Sequence, residues 1–228
     1  MLGFQATGMK SRLMTPILPE LVLEILTYLS RCRNDLEDCC LVCRTWCRLA
    51  QPFIFSELSL FCDLDYYRWN RKFATYPHLA QYVTRLRLYG EIWGEADGVP
   101  SVEDHEGSMT SELLRRLPNI KYLKICDFFL PSSMEIEGLC HFTGLEWLEI
   151  QGAIFSQPAE LLGLMSQLVG LKVLHIEDVE IRSNTSADLI GPTLHNHVDA
   201  VPKKLRNLKL RDPPEHLYIL LLAFGKSL

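Results

Sequence analysis

Leu145-Glu146-Trp147-Leu148-Glu149-Ile150 is a six-residue stretch with apolar residues at its first, fourth and sixth positions. The same pattern, apolar-x-x-Leu-x-apolar, also starts at residues 55, 83, 120, 171 and 205, so the successive spacings are 28, 37, 25, 26 and 34 residues. Apolar residues that alternate in this way predict a β-strand with one buried face. Most of the chain is therefore predicted to repeat one strand-containing unit.

Helical segments are predicted between several of these strands. The apolar spacing indicates helices over Ser111–Leu117 and Pro158–Leu168 and a less regular one over Ser132–Phe142. A strand and a helix repeated at intervals in the twenties resemble leucine-rich repeats, whose units stack because one unit cannot bury its apolar face alone. Residues 56–228 are thus predicted to form an irregular α/β leucine-rich-repeat-like solenoid with a curved parallel sheet. A conventional α/β domain is the alternative.

The two longest spacings require loops, and the sequence ends on an apolar segment. Glu91–Ser108 combines glycine and proline with six acidic residues, which predicts a solvated acidic loop. Arg182–Pro202 contains Gly191-Pro192 and the triplet His195-Asn196-His197. Leu217–Phe224 is predicted to be a buried helix. It either caps the solenoid or begins a further repeat that a truncated chain lacks.

The first 60 residues carry a different pattern. Residues 1–15 show no period and are predicted to be a flexible tail. Pro19 suits the first turn of a helix, and the apolar spacing from Leu18 to Leu29 continues that helix. Asn34 is predicted to cap a second helix that runs on towards Pro52. The apolar side of this second helix holds Leu36, Cys39, Cys40, Cys43, Trp46 and Cys47.

These short helices are apolar on more than one side. Leu23 lies off the apolar stripe of the first helix, and Leu41-Val42 point away from the apolar side of the second. A unit of about 40 residues is too small to bury so many apolar side chains by itself. The sequence therefore predicts that this helical unit docks on another protein.

The same residues resemble the F-box in order and spacing. The matching motifs are Leu18-Pro19-Glu20-Leu21, Glu24-Ile25-Leu26-x-x-Leu29, Asp35-Leu36-x-x-Cys39 and Leu41-Val42-Cys43-Arg44-x-Trp46-x-x-Leu49-Ala50. The connection Ser30–Asn34 departs from the apolar, proline-containing one that is frequent in the family. The resemblance implies a three-helix F-box over residues 16–55 that docks on a Skp-type adaptor. It implies that the adaptor-binding residues are Leu18, Pro19, Leu23, Ile25, Leu26, Leu41, Val42 and Trp46.

With its irregular repeats, the chain resembles F-box/leucine-rich-repeat substrate receptors of SCF ubiquitin ligases. That resemblance implies a non-catalytic subunit that holds a target protein and reaches a cullin scaffold through the adaptor. An F-box scaffold that acts outside the ligase is the first alternative, and a small α/β enzyme is the second. The sequence has no GxSxG or HExxH motif, so no catalytic residue and no cofactor are predicted.

The predicted target-binding surface follows from strand geometry. In each strand the leucine positions point into the core, so the third, fifth and seventh positions of the repeat point the other way. The predicted target-binding residues at these positions are Arg85, Arg87, Tyr89, Tyr122, Lys124, Trp147, Glu149, His175, Glu177, Lys209 and Arg211. Cys126, Gln151, Val173 and Asn207 occupy the remaining positions. The two charge signs predict a target segment of mixed charge.

Composition narrows the choice of partners. The chain has 228 residues, a net charge of −5 and no long Lys/Arg run, so no nucleic-acid partner is predicted. No apolar run approaches the roughly 20 residues of a membrane-spanning helix, so no membrane partner is predicted.

Four of the eight cysteines lie between Cys39 and Cys47. The sequence shows no signal peptide, so these cysteines are predicted to be reduced in the cytoplasm or nucleus. Cys39, Cys43 and Cys47 would share one helix face and are predicted to be buried core thiols. Paired-thiol spacing typical of zinc sites is missing, so no metal is predicted.

Overall fold

The computed structural model describes residues 17–90, 112–127, 129–130, 139, 141–155, 158–181, 202 and 204–211. The chain divides into two compact units between Phe53 and Ile54. The predicted tail over residues 1–15, the predicted acidic loop Glu91–Ser108, the histidine triplet and the predicted helix Leu217–Phe224 lie outside the described residues.

The first unit consists of three helices, α1 (Pro19–Leu29), α2 (Arg33–Val42) and α3 (Arg44–Ile54). Pro19 stands at the start of α1, as predicted, where its missing N–H costs no helical hydrogen bond. Pro52 lies inside α3, which ends two residues later. The small core of this unit contains Val22, Leu26, Leu36, Cys39 and Ala50.

The prediction of one continuous helix through the cysteine-rich segment is wrong. At Cys43 the backbone is extended, with φ −166° and ψ 170°, so α2 ends at Val42 and a separate helix begins at Arg44. The predicted cap at Asn34 is also wrong, because α2 already begins at Arg33. As a result, Cys39 and Cys47 belong to different helices and do not share a face.

The second unit is built on parallel strands, and every predicted strand is present. A six-stranded sheet has the order β1-β2-β3-β5-β7-β9, and three short strands form a second sheet in the order β4-β6-β8. The strands are β1 (Glu57–Leu60), β2 (Arg85–Tyr89), β3 (Tyr122–Cys126), β4 (Phe129–Leu130), β5 (Trp147–Gln151), β6 (Ile154–Phe155), β7 (Val173–Glu177), β8 (Glu180–Ile181) and β9 (Asn207–Arg211). Neighbours in both sheets pair parallel and follow chain order. The parallel sheet of the predicted fold is thus confirmed.

The register places equivalent positions of successive repeats side by side. Leu123 pairs with Leu148, which in turn pairs with Leu174. These leucines are completely buried, as are Ile125 and Ile150 on the same face. The apolar positions of the repeat therefore form one continuous core layer, and the intervening positions lie on the opposite side of the sheet.

Helices connect the strands of the second unit. The prediction for Pro158–Leu168 is confirmed by α6 (Pro158–Gln167), and residues 112–115 within the predicted helix Ser111–Leu117 are helical. Of the predicted helix Ser132–Phe142, residues 139, 141 and 142 are described. Leu139 is helical and buried, but His141 and Phe142 are not helical, so the predicted end of this helix at Phe142 is wrong. Two further helices between β1 and β2, α4 (Asp63–Thr75) and α5 (Pro77–Ala80), were not predicted.

A left-handed residue follows three consecutive strands of the large sheet. Asp127, Gly152 and Asp178 have φ angles of 51°, 64° and 51° and come directly after β3, β5 and β7. Each of them donates its backbone N–H to the last carbonyl of the following strand in the large sheet. For example, Gly152 donates to the carbonyl of Glu177 at 3.0 Å. This repeated turn ends each strand at the same point.

Replacing Gly152 by alanine is expected to destabilise the second unit by about 2–3 kcal/mol. The left-handed backbone strains any side chain there, and a Cβ would also clash with the carboxylate of Asp127. Urea unfolding measures the change. Gly163→Ala is the control, because Gly163 lies inside α6 with open space around it. That change is expected to stabilise the chain by about 0.5–1 kcal/mol. Equal effects of the two substitutions would contradict the turn's role.

Candidate functional site

Exposed apolar side chains lie along one side of α1. Leu18 precedes the helix, and Leu21, Ile25 and Tyr28 follow at spacings of three, four and three residues. This spacing places the four residues on a single side of a helix. The buried residues Val22 and Leu26 face another direction. We call these four residues the α1 stripe.

A second exposed apolar group ends α2. Leu41 is 83% exposed and Val42 is 63% exposed, which are high values for aliphatic side chains in a folded unit. Cys43 follows in extended conformation, so the chain changes direction directly after this pair. The α1 stripe and the Leu41–Val42 pair leave the helical unit with apolar surface that its own three helices do not cover.

The predicted adaptor-binding residues differ in how accessible they are. Leu18, Pro19, Leu23, Ile25, Leu41 and Val42 are exposed, and Trp46 is half-buried. Leu26 is 0% exposed, so it supports the α1 stripe from behind and cannot itself offer a contact. Leu23 is accessible but lies on another side of α1 from Ile25. Side chains two positions apart in a helix point about 200° away from each other.

The cysteine prediction is partly wrong. Cys39 is buried and Cys47 half-buried, but Cys43 is exposed because the helix is broken at that residue. Burial, followed by the neighbouring Cys47, raises the pKa of Cys40 to about 11, which keeps this thiol protonated at neutral pH. The seven cysteines in the described part of the chain are free. The described residues contain no group of three potential metal ligands.

The sheet of the second unit carries a polar face, which we define by two rows of side chains that cross the strands. The third-position row contains Glu57, Arg85, Tyr122, Trp147, Val173 and Asn207. The fifth-position row contains Ser59, Arg87, Lys124, Glu149, His175 and Lys209. All of these residues are exposed or half-buried. The structure therefore brings the predicted residues of these two rows together on one surface, the polar sheet face.

A hydrogen-bonded cluster occupies the middle of the polar sheet face. The Tyr122 hydroxyl donates to Glu149 Oε2 at 2.8 Å, and Lys124 Nζ donates to Glu149 Oε1 at 2.7 Å. Partial burial raises the pKa of Tyr122 to about 12, and the hydrogen bond to Glu149 adds to this effect. For Glu149, burial acts to raise the pKa, but the hydrogen bonds from Lys124 and Tyr122 outweigh it and hold the pKa below its usual value. Glu149 is thus a fixed carboxylate that orients its two donors.

The contribution of Glu149 to stability should depend on pH. Its folded-state pKa lies below the ordinary 4.5, so the folded state favours the carboxylate. The stabilisation is therefore complete above pH 4.5 and is lost as pH falls through the folded-state pKa. We expect Glu149→Gln to cost about 1–2 kcal/mol at pH 7 and less in acid. Urea unfolding of both proteins across this range measures the difference, and a cost that stays constant with pH would contradict the assignment.

The third-position row continues from this cluster in both directions. The Arg85 guanidinium lies 4.8 Å from the centre of the Tyr122 ring, and the centres of the Tyr122 and Trp147 rings are 5.9 Å apart. Trp147 is 43% exposed. Glu57 Oε1 pairs with Arg87 at 3.0 Å, and Glu57 Oε2 lies 3.7 Å from Arg85. The row thus places the exposed Trp147 next to Tyr122, which is followed by Arg85 and Glu57.

The third and seventh positions of the first repeat hold two residues that the predicted site omits. Glu57 pairs with two arginines of β2, and Phe61 stacks on Tyr89 with ring centres 4.5 Å apart. Both follow from the repeat pattern that starts at Phe55, because they stand at its third and seventh positions. Applying the same positional rule to the first repeat would have found them.

The side chains at the seventh positions are not all exposed, although the strand geometry predicts that they point away from the core. Glu177 pairs with Arg211 at 2.9 Å across β7 and β9. Cys126, however, is 4% exposed and does not line the polar sheet face. It is the last residue of β3, directly before the left-handed Asp127, so the chain is already turning there.

The described residues include no helix that is long and apolar enough to cross a membrane.

Comparison with known proteins identifies the helical unit. No curated protein matches the chain in sequence. The F-box-like family model matches residues 19–61, which include all three helices of the first unit and extend through β1. Leu18, directly before α1, lies outside the match. The resemblance to the F-box is therefore confirmed, and the chain carries an F-box-like domain over residues 19–61.

Proposed function

We propose that this chain is the substrate-recognition subunit of an SCF-type ubiquitin ligase. The F-box-like match over residues 19–61 is the observation that carries the proposal. F-box domains typically bind Skp-type adaptors, and an adaptor links them to a cullin scaffold. The chain itself would perform no bond chemistry. It would hold a target close to the ubiquitin-transferring module, so that proximity raises the rate.

The exposed apolar residues of the helical unit suit the adaptor contact. Burying an aliphatic side chain in an interface is worth about 1.5–3 kcal/mol, so the α1 stripe and the Leu41–Val42 pair could supply most of a stable interface. Pro19 would contribute at the start of α1. Leu26 would act from behind the stripe and Trp46 from a half-buried position.

The second unit suits the role of target receptor. Its repeated strands, its parallel order and its repeated left-handed turns support a leucine-rich-repeat-like solenoid. We assign target binding to the polar sheet face, where Trp147 is exposed next to Tyr122 and the Arg85 guanidinium lies over the Tyr122 ring. Aromatic and arginine side chains dominate the binding energy of most protein interfaces. The free thiols of the described residues agree with a cytoplasmic or nuclear location.

Adaptor binding is tested with the purified full chain and a purified Skp-type adaptor. We expect the two proteins to elute together from size-exclusion chromatography. Light scattering should give the mass of a complex with one copy of each protein. Two separate peaks at micromolar concentration would contradict it. An F-box scaffold outside the ligase remains the second candidate, since the same F-box-like domain supports it. Such a scaffold would bind the adaptor but leave the cullin unbound.

A further inference from the structure

Cationic side chains exceed carboxylates on the polar sheet face and its rim. The described side chains in the third, fifth and seventh positions include five cations, Arg85, Arg87, Lys124, Lys209 and Arg211, and three carboxylates, Glu57, Glu149 and Glu177. The whole chain has a net charge of −5. This surface is therefore a positive region on an acidic protein. Because its carboxylates are paired with its own cations, it favours an acidic partner over the mixed-charge segment that the sequence alone predicts.

Ion pairs within the surface leave the surplus at two separate places. Glu149 is held by Lys124 and Tyr122, and Glu177 is held by Arg211. Among the residues that the structure describes, Glu57 is the one carboxylate that pairs with Arg85 and Arg87 on β2. At the other end of the fifth-position row, Lys209 on β9 is exposed and forms no ion pair with a described residue. The excess positive charge thus lies on β2 and on β9.

An apolar position lies between these two ends. Trp147 pairs with Val173 in the register of β5 and β7, and both belong to the third-position row. Trp147 is exposed and Val173 is half-buried. Arg87 and Lys209 are four strand spacings apart, which corresponds to about 19 Å. An extended peptide covers this distance with about six residues.

We propose that the polar sheet face binds an extended acidic segment of a partner protein that crosses the strands. Its acidic residues would lie near Arg85 and Arg87 at one end and near Lys209 at the other, with an apolar side chain between them on Trp147 and Val173. The inference rests on the proposed receptor function and gives the chemical class of its target. A nucleic acid fits less well, since its continuous phosphate charge would pass over Glu149 and Glu177.

A random heptapeptide library tests this inference. Peptides are selected on the immobilised full chain after depletion on the Trp147→Ala variant, so that only peptides dependent on Trp147 remain. We expect these peptides to carry acidic residues on both sides of an apolar residue. Neutral or basic peptides would overturn the acidic inference and leave the receptor function intact. If the selection yields no Trp147-dependent peptide, both the acidic inference and the receptor function of the polar sheet face are overturned.

Charge reversal then tests the two ends. In fluorescence anisotropy, the selected peptide is expected to bind Arg87→Glu/Lys209→Glu about tenfold or more weakly than the wild type, and added salt should weaken wild-type binding. Arg68→Glu/Arg71→Glu on α4 makes the same change in net charge at exposed residues away from the sheet face, and it should leave the affinity nearly unchanged. Equal losses in both variants would overturn the inference, as would tighter binding of single-stranded RNA than of the peptide.

Discussion

Replacing Val42 by aspartate is expected to abolish binding of the Skp-type adaptor. Val42 is 63% exposed at the end of α2, so the folded helical unit can hold a carboxylate there in water. In the complex the same carboxylate would be buried against an apolar surface without a partner, which is costly. We expect the dissociation constant to rise about 100-fold or more, as measured by calorimetry with the purified full chain.

Val169→Asp is the matched control. Val169 is 62% exposed, but it lies in a turn of the second unit after α6. This substitution makes the same chemical change at the same exposure and should leave adaptor affinity unchanged. Leu18→Ala with Pro19→Ala should also abolish adaptor binding while the second unit keeps its thermal transition. Normal affinity of Val42→Asp, or equal losses at positions 42 and 169, would contradict the assigned surface.

The double substitution Tyr122→Ala and Trp147→Ala is expected to remove target capture and leave adaptor binding intact. Both side chains lie on the polar sheet face, with their ring centres 5.9 Å apart. Their loss removes the two neighbouring aromatic rings and takes away the hydrogen bond from Tyr122 to Glu149, while the one from Lys124 remains. Removing such anchors typically costs an interface about 2 kcal/mol or more, which is about 30-fold in affinity. Proximity labelling of the wild type and the double variant in cells measures the loss.

Tyr122→Phe separates the contact surface from the hydrogen bond. It keeps the ring beside Trp147 and removes only the hydroxyl that donates to Glu149. Target capture should survive this change with little loss. If the double variant labels the same proteins as the wild type, the polar sheet face is not the receptor surface.

The strand positions could be predicted because the repeat pattern gives both the alternation within each strand and the register between strands. Alternation across Leu145–Ile150 identifies the buried face of β5, and equal starting points in successive repeats give the register Tyr122 to Trp147 to Val173. The polar sheet face follows directly from these two facts. Its internal contacts do not, since the hydrogen bonds of Glu149 depend on side-chain conformations that periodicity does not determine.

The wrong predictions at the cysteines share one physical cause: the local backbone depends on the tertiary structure around it, which the spacing of residues does not show. The thiols at Cys39, Cys43 and Cys47 keep helical spacing in the sequence, but the backbone at Cys43 is extended and divides them between two helices. Cys126 stands at an outward position of its strand but is buried where the chain turns. In contrast, α4 could have been predicted, because its buried residues Tyr66 and Phe73 stand seven residues apart, which is two helical turns.

Recovery of the cullin together with the full chain decides whether this chain works in a ubiquitin ligase. The tagged wild-type chain is purified from cells together with its partners, and Val42→Asp and Val169→Asp are treated in parallel. We expect the wild type and Val169→Asp to retain both adaptor and cullin in comparable amounts. Val42→Asp should lose both. A wild-type chain that retains the adaptor without cullin would contradict the ligase role, and one that retains neither would contradict the docking function assigned to the F-box-like domain.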